Sequence, residues 1–317
     1  MAIELLVQII VFASSLTALA FAGYFAIRAI EKVIEITGLS EVSAGFAILA
    51  VLTSTPEIAV ALFSILQGTP GVSIGNVLGS NVFNIGVVLG VLALLGYLQA
   101  CCTKPMLELT DALFLTALIP LLLVISYFHI IDIPSQIVGV ILLAAFAANI
   151  YFMLKKRTPA VKLNNREKPK KEKLVRVIAI LVASMAVLLV AAHLVVESGL
   201  NMALFLGAPP ILIGAKLVAI GTSLPELTLD LTAVRRGRVQ LAIGDIIGSN
   251  LTNITLVLGL MLIGAPFSVD VTVLIEILPF LLVTTIIFWR FLSRGGVTKY
   301  GGAILLLSYI LFLFLLT

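Results

Sequence analysis

Charge is what this sequence has least of. Asp, Glu, Lys and Arg make up 11% of its 317 residues, against roughly 25% in soluble domains. So few charges cannot clothe a water-facing surface, and an ordinary soluble enzyme is excluded. Cysteine is scarce as well. Cys101 and Cys102 are adjacent, so no disulfide framework is read from them. The net charge of +4 is modest and does not point to nucleic acid, because basic residues collect in the cytoplasmic loops of membrane proteins.

What fills the chain instead is apolar. The hydrophobic fraction is 61% and the mean hydropathy +1.22. The apolar runs are continuous, as in 175–196 and 303–316. A membrane β-barrel would show short alternating segments, whereas unbroken runs of about 20 residues span as helices. The expectation is an all-α integral membrane protein of ten spans, near 4–30, 42–66, 73–98, 108–127, 134–154, 175–197, 209–233, 240–264, 270–291 and 299–316. No cleavable signal sequence stands out: the first apolar stretch, 5–27, is long enough to span and follows Glu4 rather than basic residues.

The longest polar segment, 155–174, is basic and reads as a linker between a first unit, 1–154, and a second, 175–317. Basic loops stay in the cytoplasm. Placing this loop inside puts both termini outside and every Lys and Arg except Lys216 on the cytoplasmic side. The expected home is the plasma membrane, with the lipid bilayer as partner. Oligomeric state is left open, a monomer being one reading.

The chain also repeats itself. L-T-S-T-P-E at 52–57 matches G-T-S-L-P-E at 221–226, and G-N-V-L-G-S-N-V-F-N-I at 75–85 matches G-D-I-I-G-S-N-L-T-N-I at 244–254. Both blocks, and the glycine pairs Gly45/Gly214 and Gly90/Gly259, share an offset of 169 residues. Span two runs from inside to outside and span seven the other way. The two five-helix units are therefore expected to be inverted-topology repeats, an architecture that places ion sites where the repeats meet near the midplane.

Glu57 and Glu226 lie deep in apolar spans, where a charge costs at least ~2.5–3.5 kcal/mol. Pro56 and Pro225 precede them. Each removes an N–H donor and breaks its span, leaving a carbonyl near Leu52 or Gly221 in need of a partner. Thr53, Ser54, Thr222 and Ser223 add hydroxyls beside the breaks. Ser80 and Asn84 share a helix face, as do Ser249 and Asn253. These are all oxygen donors, suited to hard cations such as Ca²⁺, Mg²⁺ or Na⁺. Two carboxylates balance one Ca²⁺ or two Na⁺, so the two ions can compete for one site. Emptying the site would leave unpaired buried carboxylates, which favours exchange over uniport.

Four other charges are less clearly placed. Asp230 lies one turn beyond Glu226 and could line a cytoplasmic vestibule. Asp245 opens span eight, where an acid suits a helix N-terminus. Lys216 is read as snorkelling outward, and Glu276 has no assigned partner. His129 and His193 fall near the outer face, away from the glutamates.

At the two repeated blocks the sequence resembles the cation/Ca²⁺ exchanger superfamily, and within it the sodium/calcium exchanger branch. The blocks cover about a third of the chain, and the ten spans and central loop fit prokaryotic members throughout. The resemblance implies a secondary antiporter exchanging Ca²⁺ for Na⁺ by alternating access, without cofactor or enzymatic activity. It assigns the cation to Ala50 (carbonyl), Thr53, Ser54, Glu57, Ser80 and Asn84 from one repeat. Ala219 (carbonyl), Thr222, Ser223, Glu226, Ser249 and Asn253 would come from the other. It further implies that spans one and six slide across a more rigid bundle. Leu52 departs from the usual glycine, and Asn253 stands where potassium-dependent members carry aspartate. Proton/Ca²⁺ antiport and a cation channel stay open as alternatives.

Overall fold

The computed structural model describes residues 2–67, 70–99, 103–155, 171–205, 220–264 and 271–315. These residues form helices joined by turns, with no strand among them. In chain order the helices are α1 (Ala2–Thr37), α2 (Glu41–Thr53), α3 (Thr55–Gln67) and α4 (70–94). They continue with α5 (Lys104–Leu118), α6 (Leu121–Tyr127), α7 (Ser135–Lys155) and α8 (Lys171–Phe205). The last four are α9 (Leu224–Arg235), α10 (Val239–Gly264), α11 (Val271–Ser293) and α12 (Lys299–Leu315).

Among the described residues seven helical runs are long and apolar enough to cross a membrane, or eight if the bent pair α2–α3 counts as one. α12 is apolar but shorter. The first part of the expected seventh span, including Lys216 and Ala219, lies outside the described residues, as do Cys101, Cys102 and most of the basic linker.

Helix ends differ from the apolar runs in two places. α1 has 36 residues and α8 has 35, both longer than the expected 4–30 and 175–197. α1 runs on through Glu31, Lys32 and Glu35, which are good helix formers. Hydropathy marks where lipid begins, not where hydrogen bonding stops.

Two helices form the centre of the bundle. In both α4 and α10, 83% of the apolar window is buried inside the protein, against 17% in α1 and 28% in α8. α1 and α8 pack along each other and turn Ile10, Phe21, Val175 and Val190 outward, as lipid-facing helices do. Glycine explains why α10 can sit so deep. A Cβ on Gly244 would fall 2.7 Å from the Val42 carbonyl oxygen, and one on Gly45 would strike the Leu241 carbonyl. Only paired glycines let α2 and α10 cross at that distance.

α1 is fastened at one end. Glu31 accepts from Arg236 at 2.6 and 3.2 Å and from Arg238 at 3.1 Å. Arg238 also donates to Glu41 at 2.8 Å. The α9–α10 turn thus holds both α1 and the start of α2.

Candidate cation site

α2 ends at Thr53, and α3 starts after the single residue Ser54, bent by 43° from it. Ser54 has φ −74° and ψ 6°, and Ser223, before α9, has φ −97° and ψ 4°. The break is therefore at the serine, two residues before the proline in each half. Pro56 and Pro225 then sit in the first turn of a new helix, where a missing N–H costs nothing. Glu57 and Glu226 fall in that same first turn, where the helix dipole favours an anion.

A second irregularity was not foreseen. The α-helical ladder widens to a π-turn at 84–88 and again at 253–257. Each begins at the last asparagine of the G-S-N-x-x-N block, 169 residues apart, and such turns concentrate at functional sites. A third lies at 45–49. Its counterpart is outside the described residues.

The breaks and the π-turns converge through reciprocal contacts between the two halves. The Thr53 hydroxyl lies 3.0 Å from that of Ser249, and the Ser80 hydroxyl 3.2 Å from that of Thr222. Each pair becomes the other when 169 is added or subtracted. Glu57 sits beside Thr222, and Glu226 beside Thr53. Ser80 also donates to Glu57 Oε1 at 3.2 Å. Asn253 donates to the side chain of Asn81 at 3.0 Å.

Of the twelve residues expected at the site, eleven are described, and all but Thr222 are buried. Ala219 lies outside the described residues. The Ala50 carbonyl is already engaged, accepting from Ser54 N–H at 3.1 Å and Thr53 Oγ1 at 3.3 Å. The others leave a set of oxygens without a hydrogen-bond partner among the described residues: Ser54 Oγ, Glu57 Oε2, Asn84 Oδ1, Ser223 Oγ, both oxygens of Glu226 and Asn253 Oδ1. Buried polar atoms are rarely orphaned. A gathering of orphans that are nearly all oxygens, around two carboxyls in electrostatic reach of each other, has the donor chemistry that suits a hard cation. No cluster of three or more His, Cys, Asp or Glu side chains poised for a metal occurs among the described residues. The ligand shell would accordingly be mostly neutral oxygen.

The other ionisable side chains fall elsewhere. His129 and His193 are exposed and pair loosely with Asp132 and Glu197. Glu276 is exposed on α11. Asp245 does not open its helix: α10 begins six residues earlier, and Asp245 is fully buried. Asp230 is 1% exposed and lines no open vestibule.

The sodium/calcium exchanger protein family matches residues 7–155 and 176–317. The chain belongs to that family. Sodium/calcium exchanger MaX1 of Methanosarcina acetivorans is 30% identical over 92% of this chain and 93% of its own length. A putative antiporter, CaxA of Alkalimonas amylolytica, is 30% identical over 88% of each. Among solved structures, the sodium-calcium exchanger NCX_Mj soaked with 10 mM Na⁺ and zero Ca²⁺ superposes with a TM-score of 0.80 at 26% identity, covering 99% of this chain and 100% of that one. As a member of this exchanger family, the chain is a multi-pass membrane transporter of the antiporter type and not an enzyme.

Proposed function

We propose that this exchanger moves Ca²⁺ against Na⁺ across the plasma membrane, with both ions competing for the site between Glu57 and Glu226. The observation that carries the reading is the set of orphaned oxygens on the two helix breaks and the two π-turns. A Ca²⁺ ion takes six to eight oxygens and matches two carboxylates in charge. Two Na⁺ ions match it equally, so one ion leaves as the others enter. The names of MaX1 and NCX_Mj point the same way.

The proposed frame is ten spans in two inverted five-helix repeats, 1–154 and 175–317, joined by a cytoplasmic linker at 155–174, with both termini outside. The shared offset of the breaks, the π-turns and the reciprocal hydroxyl pairs supports it. The twelve expected ligands are proposed unchanged, Ala50 and Ala219 through their carbonyls.

Imposed gradients in proteoliposomes test the choice of coupling ion. Ca²⁺ influx should follow an outward Na⁺ gradient and persist when a proton ionophore removes any pH gradient. Influx that follows the pH gradient and ignores Na⁺ would replace this reading with proton/Ca²⁺ antiport.

A further inference from the structure

The two halves of the site are not equal in charge. Asn76 and Asp245 occupy equivalent positions in the G-N-V-L-G-S-N and G-D-I-I-G-S-N blocks. Both touch the helix break of the other half. Thr222 Oγ1 donates to Asn76 Oδ1 at 3.2 Å, and the Thr53 hydroxyl lies beside the Asp245 carboxyl. Where the first half has a neutral amide, the second has a carboxylate. The same holds one layer further out, where Asp230 answers to Ala61.

Asp245 also faces the Ser249 hydroxyl and the Asp230 carboxyl, and it is within electrostatic reach of Glu226. Both aspartates are buried, at 0% and 1% exposure. Among the described residues, none of their four oxygens has a hydrogen-bond partner of ordinary geometry, and no Lys or Arg is among the groups acting on them. Two adjacent buried carboxyl groups without a counter-charge are costly. The hydroxyls of Thr53 and Ser249, 3.0 Å from each other, lie near one of them.

We infer that Asp245, backed by Asp230, forms a second cation site beside the Glu57–Glu226 site, on one side of the bundle only, and that it takes Na⁺. The choice of a monovalent ion follows from the neighbouring site. The two carboxyls and the hydroxyls of Thr53 and Ser249 supply six oxygens at most, the bottom of the range that Ca²⁺ takes, the two hydroxyls are shared with the main site, and a second divalent ion would sit against the first. Because Thr53 and Ser249 serve both sites, occupancy of one bears on the geometry of the other. A Na⁺ bound here raises the number of Na⁺ ions that act together in displacing Ca²⁺. Its absence from the first half makes the two faces of the exchanger unequal.

The inference rests on Na⁺/Ca²⁺ exchange. Its test is the Na⁺ dependence of radiolabelled Ca²⁺ release from proteoliposomes holding the full chain. It is run for the wild type, Asp245→Asn (which restores the residue type of the first half) and Asp230→Asn. Both variants should raise the half-saturating Na⁺ concentration by about tenfold, the equivalent of one lost charge partner, and lower the Hill coefficient for Na⁺ by about one. Half-saturating Ca²⁺ should shift less. Direct binding of radiolabelled Na⁺ to detergent-purified, monodisperse protein should fall by about one ion per chain. An unchanged Hill coefficient and Na⁺ count in either folded variant would overturn the second site. So would equal shifts for Na⁺ and Ca²⁺, which would make Asp245 a part of the main site alone. A wild type whose Ca²⁺ release ignores Na⁺ would instead refute the exchange reading on which the inference rests.

Discussion

The side chain of Asn81 donates to the backbone carbonyl of Asn250 at 3.2 Å, and the two residues are 169 positions apart. They are equivalent members of the two G-S-N-x-x-N blocks, so a residue here touches its own counterpart. Contact between counterparts is what an approximate two-fold axis running between α4 and α10 would produce. The contact is one-sided, however. Asn81 is fixed by Asn250 and by Asn253, whereas the side-chain amides of Asn250 and Asn84 have no hydrogen-bond partners among the described residues. Asn81→Ala should therefore cost more than Asn250→Ala. Loss of two buried hydrogen bonds costs roughly 1–3 kcal/mol, read as a lower thermal unfolding midpoint in detergent. Equal midpoints for the two variants would contradict the asymmetry.

Glu57→Gln and Glu226→Gln each remove half of the charge that faces a divalent ion. Calorimetric Ca²⁺ affinity should fall roughly 10²–10³-fold, in line with the loss of a buried charge partner. The fold should survive, because each variant relieves a buried carboxylate of its desolvation cost. Tight Ca²⁺ binding by either variant would remove that glutamate from the site.

Gly244→Ala tests the crossing of α2 and α10. The added methyl would lie 2.7 Å from a backbone oxygen, which cannot swing aside as a side chain can. Overpacking of this kind costs roughly 1–3 kcal/mol. The expected outcome is a lowered unfolding midpoint together with slowed exchange, since α2 carries Ala50 and Thr53. A midpoint equal to that of the wild type would show that the helices have room to part.

The fastening of α1 through Glu31 bears on motion. If α1 moves against the bundle during exchange, as the family resemblance implies, the ion pairs to Arg236 and Arg238 must break and reform. Glu31→Gln should then change the exchange rate several-fold. In a double-mutant cycle, Glu31→Gln and Arg236→Gln should be non-additive by about 1 kcal/mol. Additive effects on rate and stability would show that the cluster only decorates the surface.

Much of this was readable before any coordinates. Continuous apolar runs located the helices, because a spanning helix must hide its backbone bonds within itself. The duplicated P-E and G-S-N-x-x-N blocks located the polar core. Three things were not readable. The helix break falls at Ser54 and Ser223, not at the prolines, because backbone angles near ψ 0° leave no local composition signal. The π-turns at Asn84 and Asn253 are hidden for the same reason. The partners of each polar side chain, such as Thr53 with Ser249 across 196 residues, are set by packing and not by helical periodicity. Asp245 shows the cost of reading locally: an acid near a predicted helix start looked like a dipole partner, while the fold buries it against Thr53 and Asp230.

The most direct measurement is radiolabelled Ca²⁺ uptake into sodium-loaded proteoliposomes, with and without an outward Na⁺ gradient, for the wild type and for Glu57→Gln and Glu226→Gln. The account predicts rapid uptake by the wild type that vanishes when the gradient is abolished, and none by either variant. Uptake that is indifferent to the Na⁺ gradient, or that survives in both variants, would contradict it.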